Sequence, residues 1–141
     1  MKTKEITICG KQVTLAYCYA TEIAYKDIAD EEMIDFIQHA IDSIKEEKDP
    51  DTKRTLSAIY ACIIAYTEAN TEDGKEAVYP LSMKQLMNDI TPAEFGIALL
   101  TVLELRNEFY HTTKGDEATA SDAAAVPDAS PSKNEEPEKN A

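Results

Sequence analysis

The side chains of this sequence that could carry chemistry are two histidines, three cysteines and a large stock of carboxylates. His39 and His111 lie far apart, and neither has a second ligand at helical spacing. The chain therefore has no H-E-x-x-H motif and no Cys/His zinc pattern. Each histidine is read as satisfied or solvent-facing. Cys9, Cys18 and Cys62 are odd in number and include no C-x-x-C pair. This pattern speaks against a disulfide framework and for reduced, buried thiols in a cytosolic protein. Cys9-Gly10-Lys11 superficially matches a phosphate loop but lacks the first glycine and the four-residue spacer. Asp49-Pro50-Asp51 lacks the glycine and spacing of a calcium loop, and no nucleophile elbow or dinucleotide fingerprint appears.

The carboxylates leave one catalytic option, a general acid/base pair. Glu22, Glu68, Glu94 and Glu104 all fall in predicted helices near apolar faces. A catalytic carboxylate needs a perturbed pKa, and nothing in the sequence around these four calls for one. They are read as ordinary solvated helix surface. The expectation is a non-enzymatic protein with no catalytic residue, no metal and no cofactor.

The elements that would position these groups occupy a chain of 141 residues, enough for one domain. Its formal net charge is −13, from 14 basic and 27 acidic residues. Such an excess of acid argues against a phosphate-backbone binder, which needs clustered Lys and Arg, and against a basic membrane-surface face. The longest apolar run, residues 58–66, is far below the roughly 18–20 residues of a membrane span. Lys2 and Lys4 precede no apolar h-region, because Glu5, Lys11 and Gln12 interrupt it, so no export signal is expected.

Composition divides the chain after His111. Residues 112–141 hold no aromatic residue and no Leu, Ile, Met or Cys, but three of the six prolines. Such a segment buries too little apolar surface to offset the entropy of ordering, so a disordered acidic tail is expected there. Seven acids and three bases give it −4; the preceding 111 residues, with 20 acids and 11 bases, carry −9.

Within residues 1–111 the hydrophobic period changes once. Ile6-x-Ile8 and Val13-x-Leu15 alternate with polar neighbours around Cys9-Gly10-Lys11-Gln12, a hairpin signal. A lone hairpin is marginal in water, so it must lean on a helix or pair its edge with another subunit, giving a homo-oligomer. From about Tyr17 the spacing becomes helical. Tyr19, Ile23, Tyr25 and Ile28 mark a first helix ending near Ala29. Asp30 is expected to cap a second over residues 31–44, with Met33, Ile37, Ala40, Ile41 and Ile44 as its apolar stripe. A third and least polar helix starts at Asp51 or Thr52, carries Leu56, Ile59, Tyr60, Ile63 and Ile64, and is closed by Asn70 and Gly74. After a loop over residues 71–80, two capping boxes follow. Ser82-x-x-Gln85 is stapled by Leu81 and Leu86; Thr91-Pro92-Ala93-Glu94 has proline at its first helical position and the pair Ile90 and Phe95. The last helix then runs from Pro92 to about His111, with Phe95, Leu99, Val102, Leu105 and Phe109 inward. The fold class is α+β and mainly α-helical: a short N-terminal β-hairpin, then about five helices.

Seven tyrosines and no tryptophan make tyrosine the main candidate for a contact surface. Tyr60 fits its helix's apolar stripe, whereas Tyr25 and Tyr66 fall off theirs, and Tyr79 and Tyr110 flank the last two helices. Tyr25, Tyr66, Tyr79 and Tyr110 are the partner-binding candidates; half-buried positions at the core edge are the competing account.

The order of these elements, with Tyr17-Cys18-Tyr19-Ala20-Thr21-Glu22-Ile23-Ala24-Tyr25, Thr91-Pro92-Ala93-Glu94-Phe95 and Leu105-Arg106-Asn107-Glu108-Phe109-Tyr110, resembles the tail assembly chaperones of long-tailed bacteriophages. The likeness covers roughly residues 4–111 and is strongest to the subgroup from phages and prophages of Bacteroides-type hosts. It implies a non-enzymatic protein of the host cytoplasm, absent from the finished virion. Such a protein binds and solubilises the tape-measure protein while the tail tube assembles around it. The resemblance makes this chain the short form, with tail-tube protein recruited by a frameshift-extended form. The family defines no catalytic or ligand signature to carry over. The alternative is an acidic phage-encoded inhibitor that mimics DNA, or another protein-interaction module; dispersed acids fit a mimic poorly. Neither reading includes a nucleic-acid or membrane partner.

Overall fold

β1 (Lys2–Ile8) and β2 (Lys11–Tyr17) pair antiparallel from Lys2↔Tyr17 to Ile8↔Lys11 in the computed structural model, which describes residues 1–111. Only Cys9 and Gly10 separate them, both at positive φ (53° and 75°), as the I′ turns that match strand twist require. The pleat puts Ile6, Ile8, Val13 and Leu15 on one buried face, while Thr3, Glu5 and Thr7 remain exposed. Both strands extend further than the alternating core predicts.

Five helices follow: α1 (Tyr19–Ala29), α2 (Met33–Lys45), α3 (Thr52–Ala69), α4 (Met83–Asp89) and α5 (Pro92–His111). α1 begins where the Thr21 hydroxyl accepts the Cys18 N–H (3.2 Å) and donates to the Ala16 carbonyl (2.8 Å), tying helix to strand. It ends at Asp30, which does not cap α2 as expected. Asp30 takes the left-handed conformation (φ 56°) and its N–H closes on Lys26, a role aspartate tolerates because its side chain is short and polar. The N-cap of α2 is Glu32, two residues later.

α3 is the centre, packing on α1, α2, α4 and β2. Asp51 caps it by accepting the Arg54 N–H (2.9 Å), and its buried side chains include Leu56, Ile59, Cys62 and Ile63. Full burial of an Ile or Phe contributes about 1.5–3 kcal/mol relative to exposure, so this helix holds much of the core. Of the three cysteines only Cys62 is buried; Cys9 in the turn and Cys18 at the N-cap are half-buried, and all three are free.

Both predicted capping boxes form. Ser82 Oγ accepts the Gln85 N–H while Gln85 Oε1 accepts the Ser82 N–H, each at 3.0 Å. Thr91 and Glu94 do the same at 3.1 Å. Leu81 and Leu86 are buried around α4. On α5, Leu99, Val102 and Leu105 are buried as expected, with Phe95 and Phe109 half-buried. The chain divides into two units between Arg106 and Asn107, and the described part of the second is the last turn of α5. The expected disordered tail over residues 112–141 lies outside the described residues. No helix among those described is long and apolar enough to cross a membrane.

Candidate partner-binding surface

The end of α3 is shaped by side chains that take its last carbonyls. Asn70 Nδ2 donates to Tyr66 O (2.9 Å) and the Thr71 hydroxyl to Thr67 O (2.7 Å), as helix termini require when no further turn follows. The loop that follows turns at Gly74 (φ 82°) and is pinned at three points. The Tyr79 hydroxyl donates to Glu68 Oε2 (2.6 Å), Lys11 Nζ to Pro80 O (3.3 Å) and the Tyr60 hydroxyl to Leu81 O (3.1 Å). The Tyr60 and Tyr79 rings lie 6.3 Å apart. The hydrogen bond to Glu68 pushes the Tyr79 phenol up to about 12, and burial raises that of Tyr60.

Between this loop, the end of α3 and β2 lies an open groove of about 480 Å³. Tyr66, Val13, Val78 and Pro80 give it apolar walls; Gln12, Thr14, Asn70 and Glu76 give it a polar rim. Val78 is 85% exposed, an unusual position for a branched apolar side chain. The groove can take an apolar side chain and hydrogen-bond the backbone around it.

The four candidate tyrosines separate accordingly. Tyr66 lines the groove, and Tyr79 stands on the loop that forms its wall. Tyr110 lies in the last turn of α5, with its ring edge-on to Phe109 at 5.1 Å. Tyr25 is fully buried and offers no ring to a partner. Its ring lies 5.6 Å from Phe36, and its hydroxyl donates to Glu31 Oε2 (2.5 Å), which also accepts Arg54 Nε (3.0 Å). Burial and the hydrogen bond to Glu31 raise the Tyr25 phenol above its ordinary value. Burial alone would raise Glu31, but the hydrogen bonds from Tyr25 and Arg54 outweigh it and hold the carboxyl below its usual range.

Because Thr21 and Tyr25 turn inward, Tyr19 and Ile23, expected in the core, are 64% exposed. On α2, Met33, Ile37 and Ala40 of the predicted stripe are buried and Phe36 and Ser43 join them, whereas Ile41 and Ile44 face outward beside Ile34. Ile97 and Leu100 form another exposed pair on α5. The helices carry more apolar side chains than one buried face accommodates, which is the signal a stripe count misses.

The four glutamates read as solvated surface are all engaged. Glu22 accepts the Tyr17 hydroxyl (2.7 Å), Glu68 that of Tyr79, and Glu104 pairs with Lys4 (3.1 Å). Glu94, besides capping α5, accepts the N–H of Cys9 (3.0 Å) and of Gly10 (3.2 Å) and so clamps the hairpin turn. The backbone N–H of Thr91, with those of Cys9 and Gly10, holds the Glu94 carboxyl below the usual range. These contacts are structural, and among the described residues no group of three His, Cys, Asp or Glu side chains is placed to hold a metal ion.

No family model, no curated protein and no solved structure matches the chain.

Proposed function

We propose that this protein is a non-enzymatic chaperone of phage tail assembly that sequesters the helical tape-measure protein and keeps it soluble. The observation that carries the reading is the exposed isoleucine ridge of α2. Ile34, Ile41 and Ile44 stand 54%, 36% and 48% exposed, and their spacing of seven and three residues sets them along one side of α2. A ridge of this kind on a chain of net charge −13 suits a carrier that must contact an apolar helix without precipitating with it. The hairpin-then-helices order, together with the sequence resemblance, supports the same assignment. In this reading the protein acts in the host cytoplasm and leaves before the virion is complete, and an extended form brings tail-tube protein.

Co-expression with the tape-measure protein of a neighbouring gene tests it. The tape-measure protein should move into the soluble fraction and co-purify, and Ile34→Glu together with Ile41→Glu should abolish both effects while leaving the chaperone folded. Soluble yield that is indifferent to the chaperone would refute the assignment.

A further inference from the structure

We propose that the outer edge of β1 pairs antiparallel with the same edge of a second copy of this chain, with Ile6 opposite Ile6 of the partner subunit. The inference goes beyond the chaperone reading and does not depend on which client is bound. The two-residue loop makes Ile8↔Lys11 a hydrogen-bonded pair, and alternation along the ladder makes Ile6↔Val13 and Lys4↔Leu15 pairs of the same kind. The N–H and C=O groups of Thr3, Glu5 and Thr7 therefore point away from β2. The sheet has no third strand, and among the described residues no backbone or side-chain group bonds these six. The edge runs over seven regular residues with no proline. Lysines often guard such edges, but Lys4 lies on the side of the sheet that bears Ile6 and is drawn to Glu104.

Charge selects the occupant and its register. An antiparallel copy uses the outward groups only when Thr3, Glu5 and Thr7 face one another's positions. Centring the pair on Thr3, Lys4 or Glu5 sets Lys2 against Lys4, Lys4 against Lys4, or Glu5 against Glu5. Like charges directly opposite destabilise a ladder. Centring on Thr7 runs the strand into the turn at Cys9. Centring on Ile6 sets Glu5 against Thr7 and Lys4 against Ile8, leaves no like pair opposite, and closes four main-chain hydrogen bonds. The result is a four-stranded sheet whose Ile6 and Ile8 face continues across the two copies, past the three strands that a sheet needs to be stable by itself.

Sedimentation of the full chain over a wide range of concentration, at low and at moderate salt, tests the proposal. A monomer–dimer equilibrium is expected, tightened by salt because two chains of −13 repel. Thr7→Pro removes an outward N–H from each copy and leaves the ladder to β2 intact. It should weaken the dimer about 30-fold for two lost hydrogen bonds, with the helical circular dichroism unchanged. Independently of whether that variant folds, mixing a Glu5→Cys chain with a Thr7→Cys chain should give a 5–7 disulfide by peptide mapping, with little 5–5 or 7–7 product. A monomer at every concentration, a dimer indifferent to Thr7→Pro, or a predominant 5–5 link would overturn the proposal. So would a monomer whose edge amides lose exchange protection when residues 112–141 are removed, since the chain's own tail would then occupy the edge.

Discussion

Tyr25 and Tyr79 make the same bond in opposite settings. Each donates its hydroxyl to a glutamate, at 2.5 Å and 2.6 Å, but Tyr25 is fully buried and Tyr79 is 37% exposed. Around Tyr25 the bond is one part of a junction. The ring packs on Phe36 of α2, and Glu31 at the α1–α2 turn also holds Arg54 of α3, whose guanidinium reaches Asp35 O (3.3 Å) as well. Around Tyr79 the bond pins a loop to a helix that is already complete. Identical chemistry thus specifies the packing of three helices in one place and the wall of a groove in the other. The difference lies in what surrounds the phenol, and it gives the two tyrosines different sensitivities.

The largest break in that comparison should come from Tyr25→Ala. It empties the space over Phe36 and strands the Glu31–Arg54 pair, and a loss of about 3–5 kcal/mol in denaturant unfolding is expected from the removal of a buried aromatic ring. Tyr25→Phe isolates the hydroxyl. It should cost about 1–3 kcal/mol, because Glu31 keeps Arg54 but loses its second donor in a part-buried site. Tyr79→Phe should change stability by less than about 0.5 kcal/mol, as an exposed polar contact does. Its effect should appear instead as faster proteolysis of the loop at residues 71–80.

Alkaline titration sharpens the same contrast. Both phenols are raised above the unfolded value of about 10, so the stability they contribute is full below that pH and is lost as the pH rises through their folded values. Tyrosinate absorbance should show Tyr79 ionising near 12, a step absent from Tyr79→Phe. The smallest effect is on the acid side. Glu31 and Glu94 are both depressed, so their contribution is present above the ordinary carboxylate range and is lost as the pH falls through the folded values. Glu94→Gln should flatten the acid limb of a stability-against-pH curve.

Local chemistry made much of the fold readable. The boxes at Ser82 and Thr91, the turn at Cys9-Gly10 and the cap at Asp51 each involve groups within four residues of one another, so spacing alone identifies them. The inward face of α1, and on α2 the exposure of Ile41 and Ile44, are not readable in that way. Both helices are apolar over more than the width of one stripe, and their rotation is set by groups in other elements: Phe36 and Arg54 draw Tyr25 in, and Ala16 O draws Thr21. Tyr25 is therefore buried, and Ile23, Ile41 and Ile44 are exposed. Composition singles out Tyr66 and Tyr79 as candidates, but the groove beside them depends on a loop folding back on β2, which no short-range pattern encodes. The engagement of Glu94 was missed for a related reason, since its partners Cys9 and Gly10 lie 85 and 84 positions away.

That separation has a kinetic side. One carboxylate holds the first turn of α5 and the tip of a hairpin made at the other end of the described chain, so the tip acquires its clamp only once α5 has docked. The Cys9 and Gly10 amide protons should then exchange with solvent at a rate that follows the undocking of α5 and not the fraying of the two strands. Two hydrogens near the N-terminus would serve as a clock for the most C-terminal helix of the described chain.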